Sequence, residues 1–213
     1  PPRSTLFPYT TLFRSTSDVQ WIKKCKSTWR EKDGPQKIHY SQQNKDKRPG
    51  AHSETIKTEE FIGYYQDLPG KDIDIMLEVK DKNMSAVKCI NCVSKRGIKE
   101  LEKEWGRYKY LVLEHSPAGY QAVRNMLKDK KSYPAVPMYL TIENSMDKKK
   151  IKGDAVNAAQ HVWGYFKNKA SENEKNRFEK ILQKYLLGGS EIKSIKKYLL
   201  TLSKKYCEDY LLE

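Results

Sequence analysis

QKIHYS at residues 36–41 and DIDIMLEVK at residues 72–80 decide how the first half of the chain folds. Both are short runs in which apolar and polar side chains alternate, the period of a strand with one buried face. In the second run Ile73, Ile75, Leu77 and Val79 face one way, and Asp74, Met76, Glu78 and Lys80 face the other. In the first, Lys37 and His39 project together, away from Ile38 and Tyr40. Working outward, residues 18–32 place Val19, Ile22, Cys25 and Trp29 at helical spacing, and Asp33-Gly34-Pro35 ends that helix. Residues 42–53 have loop chemistry, residues 55–67 read as a helix, residues 68–71 as a turn, and residues 83–94 as another helix. Helix, strand, helix, strand, helix is a β/α repeat, which predicts a parallel sheet.

From residue 95 onward the pattern is helical throughout. Residues 105–114 form one candidate, and Ser116-Pro117 opens another with Ser as N-cap and Pro in the first turn. Residues 151–169 carry an apolar stripe of Val156, Ala159, Val162, Trp163 and Phe166. Ser171-Glu-Asn-Glu174 is a capping box for a helix running to residue 187, before Gly188-Gly189, and Ser190 is expected to cap a last helix reaching about residue 206. The fold class is therefore α/β then all-α, with a boundary near residue 95 and domains at 16–94 and 95–213. Residues 1–15, PPRSTLFPYTTLFRS, repeat Thr-Leu-Phe and lack the long apolar stretch of a signal peptide. They resemble translated sequencing adapter and are set aside from the fold.

The net charge of +14 is uneven: residues 1–94 carry 16 Lys/Arg against 12 Asp/Glu, and residues 95–213 carry 25 against 15. This balance favours an anionic partner, nucleic acid ahead of a membrane surface, or else a lysine-rich solvated surface. No apolar run approaches the roughly 20 residues of a membrane span. Four cysteines make no disulfide framework at this length, and free thiols in the cytoplasm are the expectation. Cys89-x-x-Cys92 lies in AVKCINCV, residues 86–93, which reads as an apolar helix face and not a redox motif.

His39, His52 and Glu78 form the candidate site. On a β/α sheet, polar residues at the C-terminal strand ends gather at one rim, and His52 lies in the long loop after the first strand. Imidazole and carboxylate suit Mn²⁺, Zn²⁺ or Fe²⁺, which activate water and stabilise charge on a phosphoryl oxygen. Alternatively the histidines are hydrogen-bonded structural residues, and Glu78 pairs with Lys80 or Lys37.

QKIHYS, AHSE at 51–54 and DIDIMLEVKDK at 72–82 resemble, in order and separation, the C-terminal part of the UV damage endonuclease family. The resemblance implies the last two β/α units of an incomplete TIM barrel. It also implies cleavage of the DNA backbone beside UV photoproducts by a cluster of divalent ions, most often manganese. His39, His52 and Glu78 would be metal ligands, with Lys37 and Glu78 in the catalytic set. Lys37 matches a lysine that can be carboxylated beside the metals; unmodified, it would meet phosphate as a plain cation. Lys80 would face nucleic acid. About six β/α units of that family have no counterpart here, and three ligands cannot hold several ions. The fragment alone is therefore expected to be inactive. The rival expectation is a non-catalytic, basic nucleic-acid-binding module.

RYKYLVLEHSPAGY at 107–120 and NAAQHVWGYF at 157–166 resemble a second family, the YbgA-like helical domain, for which no chemistry is established. His161 lies one turn after Asn157 and one before Tyr165, so His115, Asn157 and His161 are candidates for a polar pocket, or else helix-packing residues. Tyr108, Tyr139 and Phe166 read as core. Lys128, Lys130, Lys131, Lys148, Lys149 and Lys150 border loops, where they would meet a DNA backbone or only solvent.

Overall fold

The computed structural model describes residues 18–212, so the adapter-like stretch 1–15 lies outside the described residues. The chain divides into two compact units, residues 1–95 and 96–213.

In the first unit the described elements run α1 (Asp18–Lys26), β1 (Gln36–Tyr40), α2 (Thr58–Asp67), β2 (Ile73–Leu77) and α3 (Asn83–Val93). The two strands pair in parallel, Gln36 opposite Ile73 through Tyr40 opposite Leu77. A parallel pair needs a crossover, and α2 supplies it. The ladder extends one step beyond β2, where the Glu78 N–H donates to the Tyr40 carbonyl at 2.8 Å. Tyr40, Ile75, Leu77 and Val79 pack with Ile56, Phe61 and Cys89, while Ile38, Ile73 and Ile75 pack with Ile22 and Leu68. On the opposite face Lys37 and Asp74 are exposed and Met76 is 59% exposed. The sheet is thus covered on its apolar face and open on the face that carries His39.

Three expectations for this unit need correction. The first helix ends at Lys26 and does not reach residue 32, because the Ser27 and Thr28 hydroxyls donate back to the Lys24 and Cys25 carbonyls. Trp29 is then drawn away by its indole N–H bond to the Gly34 carbonyl. Residues 55–57 are not helical, since Thr55 and Ile56 are bonded to α3 instead. Finally, α3 does not bury an apolar face: Ser85, Lys88, Cys89 and Asn91 are buried, and Ile90 is 45% exposed. Lys88 is held inside by the Ile56 carbonyl and the Thr55 hydroxyl, which satisfy its ammonium.

The second unit is helical: α4 (Ile98–His115), α5 (Pro117–Met126), α6 (Ala135–Met146), α7 (Lys152–Trp163), α8 (Glu172–Leu186) and α9 (Ile192–Lys205). Among the described residues no helix is long and apolar enough to cross a membrane. Ser116 caps α5 through Gly119 N–H, as its position predicts. Gly119 is required there, because a Cβ would lie 2.0 Å from the Ser145 Oγ of α6. The first of these helices starts seven residues earlier than expected, at Ile98. Helix α6 is not among the helices expected from the sequence; Pro137 sits in its first turn, where a missing N–H costs nothing. The helix expected over 151–169 stops at Trp163. Its stripe still packs, with Ala159 and Phe166 in a core shared with Phe178, Leu182, Ile195 and Leu202. Ser190 does not cap α9: Glu191 holds the N-cap, and the Ser190 hydroxyl is buried without a bond among the described contacts.

The Ser171/Glu174 capping box forms as read. Lys205 donates to the Glu174 carboxylate at 2.7 Å, the Ser171 N–H at 2.9 Å and Tyr206 at 2.8 Å. These bonds, Lys205 first, hold its pKa at about 2, below the ordinary 4.5. A depressed carboxylate stabilises the fold above its unfolded pKa and loses that contribution as protons bind. The stability of the helical unit should therefore fall as pH drops from 4.5 toward about 2, and Glu174→Gln should flatten that part of a urea-denaturation series against pH. Gly119→Ala should cost about 1–3 kcal/mol in the same assay, with Ser145→Gly recovering part of the loss.

Candidate functional site

The site is assembled by a loop folding back on the strand it leaves. Beyond β1, the buried Gln42 carboxamide accepts from Lys57 N–H at 2.6 Å and donates to the Tyr40 hydroxyl and the Lys57 carbonyl, both at 3.0 Å. Gln43 and His52 form an antiparallel bridge, flanked by Asn44 N–H to Ala51 O and Ser53 N–H to Gln42 O, each 2.8 Å. Lys80 and Asp81 N–H groups then donate to the Ser53 and Glu54 carbonyls, joining the two strand-end loops. On the far side Ile56 N–H donates to Ser85 Oγ at 2.9 Å.

This backbone brings the three candidate residues together. Glu78 Oε1 lies 2.6 Å from His39 Nδ1, and Glu78 Oε2 lies 3.5 Å from His52 Nε2. His39 stands opposite Met76 in register, so the carboxylate reaches it from two residues further on, one step beyond the end of β2. Side-chain exposures of 31% for His39, 39% for His52 and 24% for Glu78 leave the cluster open to solvent and ligands. Glu78 pairs with the histidines, not with Lys80 or Lys37, among the described contacts. Lys37 is exposed on the same face as His39, and Lys80 is exposed at the loop. Nearby Glu54 pairs with Lys47 at 2.8 Å, a hydrogen bond that lowers its pKa from the usual value.

Two imidazole nitrogens and a carboxylate are the right donor types for a borderline divalent ion. Glu78 hydrogen-bonds His39 and stands at ion-pair distance from His52, and among the described residues no group of three or more His, Cys, Asp and Glu side chains is placed as metal ligands would be. One further carboxylate at this rim has unmet demand, since Asp81 Oδ1 is buried without a hydrogen-bond partner among the described contacts. The next residue, Lys82, has φ 45°, a region where non-glycine residues carry strain. Asp81 and the clamp residue Gln42 were not singled out from the sequence. No spacing marks Gln42, and Asp81 follows the strand pattern, where alternation no longer assigns a face.

In the helical unit the candidates are dispersed. His115 Nδ1–H donates to the Lys148 carbonyl at 3.0 Å, Asn157 is half-buried on α7, and His161 is exposed. No hydrogen bond joins these three among the described contacts. Lys148 donates to Ser116 Oγ at 3.3 Å and Lys150 pairs with Glu114 at 2.8 Å, so both ammoniums tie the helix corner, while Lys149 is exposed.

Residues 7–109 match the UV-endonuclease UvdE family, and residues 109–213 match a family described as a protein of unknown function (DUF1722). Each match covers just under half of the chain, and the two are the resemblances read from its motifs. A UV DNA damage endonuclease of Clostridium perfringens is 32% identical over 183 residues, which are 84% of this chain and 42% of that protein. A putative UV-damage endonuclease of Acanthamoeba polyphaga mimivirus is 38% identical over 68 residues, 32% of this chain and 21% of that protein. The chain thus spans less than half the length of these curated relatives. A match of 183 residues is longer than the endonuclease segment, so the bacterial similarity extends into the helical unit. No solved structure matches the chain.

If Gln42 positions His52, Gln42→Ala should destabilise the first unit by about 1–3 kcal/mol, the cost of orphaning buried polar groups. In NMR spectra recorded at one pH the His52 ring resonances should change position while those of His39 stay in place.

Proposed function

We propose that residues 16–94 are the closing two β/α units of a TIM-barrel DNA repair endonuclease of the cytoplasm, one that nicks the backbone next to UV photoproducts. The carrying observation is the convergence of His39, His52 and Glu78 at one sheet rim. Similarity to the bacterial endonuclease supports the same reading. In it, His39, His52 and Glu78 hold a divalent ion, Mn²⁺ first among the candidates. Bound there, the ion would supply a Lewis acid for the phosphoryl oxygen and a more acidic water.

The chain's own groups do the rest. Glu78 orients both imidazoles through its two oxygens, as a carboxylate partner does for metal-ligating histidines. Lys37, exposed on the same face, meets the phosphate as a cation or, carboxylated, adds an oxygen donor. Lys80 and Lys149 contact the backbone of the bound DNA, and Lys148 and Lys150 do so where their inward bonds open. Residues 95–213 form the helical domain that accompanies the barrel. Two β/α units supply three of these donors, too few for several ions, so the 213-residue chain alone is read as inactive. A second reading, a non-catalytic basic nucleic-acid-binding module, rests on the hydrogen bond that Glu78 already makes to His39 without an ion.

Mn²⁺ titration of the chain, followed by loss of the free-ion EPR signal, separates the two. His39→Ala and Glu78→Ala should each weaken uptake at least about tenfold, and unchanged uptake would sink the metal assignment. Irradiated plasmid incubated with the chain and Mn²⁺ should stay supercoiled; nicking would overturn the inactivity.

A further inference from the structure

Helices α4, α7 and α9 line a pocket of about 250 Å³, partly open to solvent, that the function above does not use. Its cause is local. Ala155, Ala158 and Ala159 line it from α7, and three alanines leave unfilled the volume that larger side chains would occupy. A short aliphatic chain laid in the pocket would bury apolar surface against them. Much of the remaining wall is aliphatic, Leu199 of α9 included.

The polar groups on the wall are few and define the ligand. The Glu114 side chain is 4% exposed, with Oε1 2.8 Å from Lys150 Nζ and Oε2 2.5 Å from Lys196 Nζ. Burial pushes its carboxyl up, but the hydrogen bonds and charges of the two lysines outweigh that and hold it below the usual carboxylate range. One carboxylate with two ammoniums leaves this cluster a single positive charge. Of the two lysines, Lys196 lines the cavity, and an ammonium has three N–H donors, of which Glu114 takes one. The buried Ser203 hydroxyl, also on the wall, donates to the Leu199 carbonyl at 3.0 Å, which leaves its oxygen able to accept.

We propose that this cavity is a binding site for a small aliphatic monoanion, its tail among the alanines of α7 and its carboxylate on Lys196. A cationic amphiphile would meet the surplus positive charge, and a neutral alcohol would forgo the charge-assisted bond.

Isothermal titration of octanoate into the 213-residue chain tests this, with octanol and octylamine as comparators. The expected result is one saturable octanoate site per chain, at least tenfold weaker for either comparator. Lys196→Gln should weaken octanoate binding at least tenfold. Ala159→Leu, which fills the cavity, should abolish it while the helical circular dichroism is kept. Absence of saturable octanoate binding, equal binding of octylamine or octanol, or unchanged binding by Lys196→Gln would each overturn the proposal. So would full binding by folded Ala159→Leu. Lys196 is half-exposed and its replacement leaves Glu114 paired with Lys150, so that variant decides the matter even where Ala159→Leu fails to fold.

Discussion

The carboxamide of Gln42, bonded to the backbone of Lys57 on both sides and to the Tyr40 hydroxyl, closes the segment between β1 and α2 onto the strand end. A polar loop of this composition has no apolar reason to return to the sheet, and ordering it costs conformational entropy at every residue. The return is achieved by buried hydrogen bonds from Gln42, and from Ser85 and Lys88 on the other side. Once Ser53 and Glu54 are pinned against Lys80 and Asp81, His52 is within reach of Glu78. Without that closure, Glu78 would face His39 alone.

The parts legible in the sequence are those that obey a short period. Alternation over residues 72–80 assigned Ile75, Leu77 and Val79 to the covered face and Glu78 to the open one, and the parallel pairing follows from the helix between the strands. The shared face of His39 and Glu78 followed in the same way. Elements whose ends depend on side-chain-to-backbone bonds were not legible. The stop of α1 rests on Ser27 and Thr28, and the start of α9 falls at Glu191 beside a serine that seemed the better cap. Lys88 defeats pattern reading altogether, since a lysine inside a helix face is expected outside unless its partners are known. The clamp at Gln42 is of the same kind: it depends on where Lys57 comes to lie, fifteen residues on.

Charge in the helical unit shows why composition alone misleads. Lysines that border loops looked free to meet a polyanion, yet Lys148 and Lys150 are bonded at the corner of α4 and α5, and Lys196 shares Glu114 with Lys150. Such pairs fix helices relative to one another at modest energetic return, because their ammoniums stay partly hydrated. The excess of positive charge remains, carried by Lys149 at the loop and by positions such as Lys193, Lys197 and Lys204 of α9, all exposed.

Helix α4 runs unbroken from Ile98 to His115, yet the two family matches meet at residue 109, inside it. Leu101 and Trp105, on the endonuclease side of that meeting point, are buried within the same helical unit as Val112 and Leu113 beyond it. A recombination event that moved residues 109–213 between genes would leave the amino-terminal half of that helix behind and open the core it closes. The heritable unit is therefore longer than the conserved match: the piece that can be passed on intact begins near Arg96, in the extended stretch before the helix starts.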